Sequence, residues 1–302
     1  MPEAPRFISR PPFAARMHFR FASRWFVVLV VAALAFTAVG VYVSFPRTFV
    51  LMATTTSTRD SGLLPYLLPA FTADTGIDVR YVAVGTGQAL DLGRAGDVDV
   101  VMVHAPSLEK AFMAAGHGLC RIPIMFNRFV IVGPPADPAG VRDAANVTDA
   151  FNRIRSAEAR FESRADSSGT HNKELRLWEA LGLNPSAFGA WYERTEQGMG
   201  ATLTLASERD AYTLSDDGTW YAREGSLPHL ALLYDRADLL LQNQYSVIPV
   251  NPVAHPGVKS EPAVAFASWL VEARAQSLIA AFTVNGHVIF APNADPNAVG
   301  AC

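Results

Sequence analysis

The sequence is poor in cysteine and in charge. Two cysteines, Cys120 and Cys302, exclude a disulfide-stapled miniprotein and a multi-cysteine zinc domain. Charged residues make up only 18% of the 302 residues and the formal net charge is −3, so the chain lacks the basic surface that nucleic-acid binding relies on. His104, His117, His171, His229, His255 and His287 show no H-x-x-x-H or H-E-x-x-H spacing, which leaves a metal-cation site without support. There is no G-x-S-x-G nucleophile elbow, no internal repeat and no low-complexity block. Disorder is excluded as well, because half of the residues are hydrophobic and can build a sizeable core.

What is present begins at the N-terminus. Arg6, Arg10, Arg16, Arg20 and Arg24 stand against the single acid Glu3, and Trp25 to Phe45 then runs 21 residues without a charge. Residues 1–48 are therefore expected to be a signal peptide or a membrane anchor. A buried core helix rarely stays apolar on every face. Ala38-Val39-Gly40 offers a cleavage site after Gly40, and the uncleaved run is long enough to span a bilayer. Either way the rest of the chain is exported, and a periplasmic location is expected. Removing residues 1–40 takes away five arginines and one glutamate and leaves a net charge of −7. An anion site on such a body has to be built locally. In an oxidising compartment Cys120 and Cys302 can pair, although sequence carries no geometry to decide it.

Beyond the leader, strand and helix alternate. Phe49–Ala53, Ile77–Val84 and Val98–Val103 read as strands, and residues 63–71 and 88–95 as helices. This pattern predicts an α/β fold with parallel pairing and helices on both faces. Helices are expected over 149–162, 173–181, 198–208 and 264–282. Phe129–Val132 and Tyr245–Val250 read as two crossings between lobes. They divide the chain into a first lobe of residues 49–130 and 245–291, a second of 131–244, and a tail of 292–302. Two lobes joined by two strands make a hinge with a ligand cleft.

Three segments set hydroxyls and bare amides before a helix. They are Thr54-Thr55-Thr56-Ser57-Thr58, Gly85-Thr86-Gly87-Gln88, and Ser163-Arg164-Ala165-Asp166-Ser167-Ser168-Gly169-Thr170-His171. Unpaired N–H groups and the helix dipole favour an anion there, and Arg164 adds a charge-assisted contact. Any one of these segments by itself reads first as an N-cap, and only their joint occurrence brings the anion reading level with it. Asp166, Ser168 and His171 invite a hydrolase triad, but they are neighbours on one turn, whereas triad members converge from separate segments.

Together TTTSTRDSGLL, VAVGTGQAL, GDVDVVMVHAP, FVIVGP, SRADSSGTHNKEL, the QGMG-TL segment and YSVIPVNP resemble the tungstate-binding proteins of bacterial ABC importers, over nearly all of residues 50–292. The resemblance implies the two-lobed type II periplasmic binding protein fold, each lobe a mostly parallel sheet with flanking helices, and ligand capture without catalysis or a cofactor. It implies a tungstate or molybdate site of Thr55, Thr56, Ser57, Thr86, Gly87, Arg164, Ser168, Gly169 and Thr170, with Gln197–Gly200 as a further helix N-terminus. The implied partners are a permease and its ATPase, with membrane contact only through the N-terminal segment. Molybdate, phosphate or sulfate binding stays open, as does an anchored oxyanion sensor. Asp60 and Asp166 are expected to cap the helices that follow them, leaving the ligand to donors. Cys120 and the long leader depart from the family pattern.

Overall fold

The computed structural model describes residues 48–302; the leader expected over 1–48 lies outside them except for Thr48. Strand β1 (Phe49–Thr55) pairs in parallel with β2 (Asp78–Val84) and β3 (Val100–Val103). Between them lie α1 (Thr56–Asp60), α2 (Leu63–Thr75) and α3 (Thr86–Ala95); α4 (Pro106–Ala114) follows β3. All four residues of β3 are buried, and they alternate. Val100 and Met102 join one core with α2, while Val101 and Val103 join another with α3 and α4. A strand covered on both faces needs no polar side chain, which is why its sequence is a continuous apolar run.

The long strand β4 (Ile122–Gly133) carries the chain out of this region, and β9 (Gln242–Pro249) brings it back. Residues Ile122–Arg128 of β4 pair antiparallel with β9. From Phe129 onward β4 instead pairs with β7 (Thr213–Asp216) and β8 (Ala231–Tyr234). The cores divide at the same place. Ile122, Ile124 and Met125 belong to the first body, Phe129 and Ile131 to one face of the second, and Val130 and Val132 to its other face.

The second body is completed by α5 (Val147–Ser156), β5 (Phe161–Ser163), α6 (Gly169–Ala180), β6 (Tyr192–Arg194), α7 (Met199–Glu208) and α8 (Asp217–Arg223). Beyond β9 come α9 (Ser260–Val271), α10 (Ala273–Ala281), the short pair β10 (Thr283–Val284) and β11 (His287–Val288), and β12 (Ala291–Pro292) on β4. Parallel ladders join β1 to β2 and β3, and β5 to β6, with one further parallel bridge between Phe161 and Tyr212. Every ladder of β4 and β9 is antiparallel, so the expected parallel character ends where the crossings enter each sheet.

Two helices expected from periodicity end earlier. The one expected over 149–162 stops at Ser156, where Ala159 N–H closes on Ile154 carbonyl and Glu158 takes a left-handed φ of 47°; the chain then enters β5. The long helix expected over 264–282 breaks at Glu272, whose ψ of 152° separates α9 from α10. The break lets Trp269 and Leu270 on one side and Ala275 and Ile279 on the other pack into one core.

Cys120 and Cys302 form a disulfide with Cα atoms 5.0 Å apart, tying the C-terminus to the first body across 182 residues of chain. A loop of that length stabilises by about 2–5 kcal/mol, mostly through the unfolded chain. At about 2–4 °C per kcal/mol for a protein of this size, Cys302→Ser should lower the midpoint by roughly 5–15 °C in non-reducing calorimetry. A midpoint equal to wild type would show that the bridge constrains nothing.

Candidate functional site

The segments singled out in the sequence converge where the two bodies meet. Thr55 caps α1, its hydroxyl accepting from Thr58 N–H. Gly85 precedes α3, Ser168 caps α6 and accepts from His171 N–H, and Gly198 precedes α7. Across the meeting line, Gly169 N–H donates to Thr86 Oγ1 at 3.1 Å. A methyl group added at Gly85 would lie 3.6 Å from the Asp166 carbonyl, one at Gly87 3.9 Å from the Ser167 carbonyl, and one at Gly198 3.9 Å from Thr56 Oγ1. Four helix N-termini thus face one small region, each with N–H groups that lack intrahelical partners.

Arg164 is the buried cation of this region, only 3% exposed. Its fork ion-pairs with Asp166 at 2.5 Å, donates to the Gln197 carbonyl at 3.3 Å and reaches Thr170 Oγ1 at 3.4 Å. The loop that folds it back has left-handed φ at Ala165 and Ser167, 48° and 58°. Strain of that kind is held only where surrounding contacts enforce it. Behind the loop, Glu174 of α6 takes Ser163 Oγ, Trp178 Nε1 and Tyr192 OH. Burial raises its carboxyl to about 7.

The nine sequence-derived candidates therefore sit together, but their hydrogen-bonding duties differ. Thr55, Ser57 and Thr58 hydroxyls bond one another, at 3.1 Å for Thr55–Ser57 and 2.7 Å for Thr55–Thr58. Thr56 is half-buried and turned toward Gly198. Asp60 does not cap the following helix: it pairs with Arg59, and Gly62 opens α2. Asp166 does not cap α6 either. That role falls to Ser168, while Asp166 takes Ser168 N–H and the Arg164 guanidinium. The triad geometry is absent too, since His171 Nδ1 accepts Ser167 N–H and the Ser168 hydroxyl accepts His171 N–H. Among the described residues, no three His, Cys, Asp or Glu side chains gather as metal ligands.

Sequence reasoning missed His104, Asn127, Asn243 and Asp217. His104 ends the β3 run, is 3% exposed, and stacks on Tyr245 with ring centroids 4.6 Å apart. Burial, aided by Arg164, lowers it to about 4 despite its bond to Asn243. Burial raises Asp217 to about 7, with Asp216 adding to the effect. The only sequence signal was a histidine placed directly after a buried strand.

The family model of the PBP superfamily domain matches residues 42–274. The tungstate-binding protein TupA of Peptoclostridium acidaminophilum is 45% identical over 249 residues, 81% of this chain and 86% of that one. Among solved structures, the tungstate-binding protein TupA from Desulfovibrio alaskensis G20 is 46% identical with a TM-score of 0.72, covering 82% of this chain and all of that one. The tungstate ABC transporter structure from Geobacter sulfurreducens is 45% identical, also at 0.72, covering 78% and 98%. The fold is the type II periplasmic binding protein fold; two of these relatives are tungstate-binding proteins and the third is a tungstate ABC transporter. From the two crossing strands, the converging helix N-termini and these identities, the chain belongs to the PBP superfamily, in the family of the tungstate-binding proteins.

Proposed function

We propose that the protein is the periplasmic solute-binding component of an ABC importer, and that it captures tungstate between lobe one (49–130 and 245–291) and lobe two (131–244). The ligand set is Thr55, Thr56, Ser57, Thr86, Gly87, Arg164, Ser168, Gly169 and Thr170. The observation that carries this reading is the Gly169–Thr86 hydrogen bond, which joins two helix N-termini from opposite lobes beside a buried arginine. Such a surface offers N–H and O–H donors with one guanidinium. Tungstate, an unprotonated dianion at neutral pH, accepts from all of them.

Protonated phosphate also needs an acceptor. The nearest carboxylate, Asp166, already meets Arg164 and Ser168 N–H with its two oxygens. Molybdate matches tungstate in charge and nearly in size, and the lean to tungstate comes from the relatives. Because the ligand contacts both lobes, its binding favours the closed state, which a membrane permease with its ATPase then receives. Residues 1–48 deliver or tether the protein at the membrane.

Thermal unfolding with tungstate, molybdate, sulfate and phosphate tests the reading. At a hundred times its dissociation constant a ligand stabilises by about 2.7 kcal/mol, roughly 5–10 °C here. The expected result is that shift with tungstate, and little or none with sulfate and phosphate. An equal shift with sulfate would sink the tungstate assignment, and no shift with any of the four would sink the oxyanion reading.

A further inference from the structure

A buried chain of hydrogen bonds runs from the second body through both crossing strands to the first ligand turn. Asn127 Nδ2 donates to Asp217 Oδ1 at 2.6 Å, and Asn243 Nδ2 donates to Asn127 Oδ1 at 2.7 Å. Asn243 Oδ1 lies 2.8 Å from His104 Nδ1, and His104 Nε2 lies 3.0 Å from Ser57 Oγ. Asn127 and Asn243 are direct partners in the β4–β9 ladder. Ser57, His104, Asn127 and Asn243 are each at most 3% exposed, so water cannot substitute for a missing partner.

The chain has a direction. Asp217 meets N–H groups on both oxygens, from Asn127 and from the Arg128 backbone. In its ionised form the Asp217 carboxylate only accepts, so the Asn127 amide nitrogen faces it and the Asn127 carbonyl faces Asn243. The Asn243 amide nitrogen is thereby used, and its carbonyl is left for His104. Nδ1 must then carry the hydrogen. A neutral imidazole has one N–H, so Nε2 is a lone pair and the Ser57 hydroxyl is the donor to it.

We propose that His104 is a positioning residue of the anion cleft, held as the Nδ1–H tautomer by Asn243, and that by accepting the Ser57 hydroxyl it ties the first turn to β9 and fixes its groups at the cleft. This rests on the oxyanion reading above and adds a residue to it. The ring touches the first turn and the crossing strand β9 and lies against the second body: a methyl group at Gly169 would fall 2.8 Å from its Nδ1. The groups of the site can thus keep their hydrogen-bond polarity only if this ring keeps its own.

The tautomer is read from ¹⁵N-edited imidazole spectra of the protein at about pH 8, where Asp217 is ionised in spite of its raised value. The His104 signals are identified by their loss in His104→Phe. A neutral Nδ1–H ring is expected with and without sodium tungstate; an Nε2–H or doubly protonated ring would overturn the proposal. Calorimetry with tungstate supplies the second readout. His104→Phe keeps the stack on Tyr245 but removes both nitrogens and so unties the first turn from β9, and should weaken tungstate binding at least about tenfold. His104→Gln should recover part of that loss. Ser57→Ala added to His104→Phe should cost less than about twofold more, because the two act through one bond. Wild-type affinity in His104→Phe, or full additivity, counts against the positioning role. If the wild-type protein binds no oxyanion, the functional reading fails, while the ligand-free spectrum still decides the tautomer.

Discussion

Replacing Arg164 by alanine should weaken tungstate binding by about a hundredfold or more and leave the ligand-free protein folded. The guanidinium is buried and its three anchors all belong to the loop, the Gln197 carbonyl and Thr170, so the cation is held in place before any ligand arrives. Each charge-assisted hydrogen bond it gives an oxyanion contributes about 1.5–3 kcal/mol, and about 1.4 kcal/mol is a factor of ten. Removal has a second consequence. Asp166 loses its ion-pair partner and remains as a carboxylate beside a dianion.

Two further variants separate these effects. Asp166→Asn in the Arg164→Ala background should recover part of the affinity, because it removes the repulsion but not the missing donors. Arg164→Lys should recover little, since an ammonium cannot reproduce a planar fork held at three points. Titration calorimetry with tungstate reads all three proteins. Affinity in Arg164→Ala equal to wild type would take the residue out of the ligand set.

The parts of this site that were legible from sequence are those with local causes. Ser168 and Thr55 stand directly before their helices and cap them, which any hydroxyl in that position tends to do. Arg164 and Thr170 lie six residues apart in one loop, so a turn suffices to bring them together. Strands β1 and β3, inside the sheet of the first body, read correctly because their apolar runs report burial. By contrast, His104 and Asn243 are 139 residues apart and Asn243 and Asn127 are 116 apart. Only the register of β4 on β9 makes them neighbours, and a single sequence carries no trace of that register. The same limit hid the roles of hydroxyls that did look local. Thr55 and Ser57 have the residue types of ligand donors, yet which way a hydroxyl turns depends on the histidine that arrives from another strand. Asp166 likewise reads as a cap until Arg164 is seen beside it.

A close approach between the two bodies gives the second large effect: Gly169→Ala should weaken tungstate binding roughly five- to a hundredfold without unfolding the protein. An added Cβ would fall 2.8 Å from His104 Cε1 and Nδ1 and 3.1 Å from the His104 carbonyl. The ring cannot retreat, because Tyr245 stacks on it and Asn243 and Ser57 hold its two nitrogens. The carbonyl is backbone and moves only with the chain. Overpacking of this kind costs about 1–3 kcal/mol in a closed core. Here, however, one partner follows β3 in the first body and the other opens α6 in the second. Strain between them is relieved by parting the lobes, so it falls on the closed state rather than on either core. The variant should therefore keep a ligand-free unfolding midpoint close to wild type. It should scatter X-rays in solution as a more open molecule at saturating tungstate and lose affinity through faster release. The Gly169 N–H to Thr86 bond is lost in the same movement, which removes one of the contacts that rewards closure. Unaltered affinity together with unaltered compaction would mean that the lobes close on the ligand without bringing Gly169 against His104.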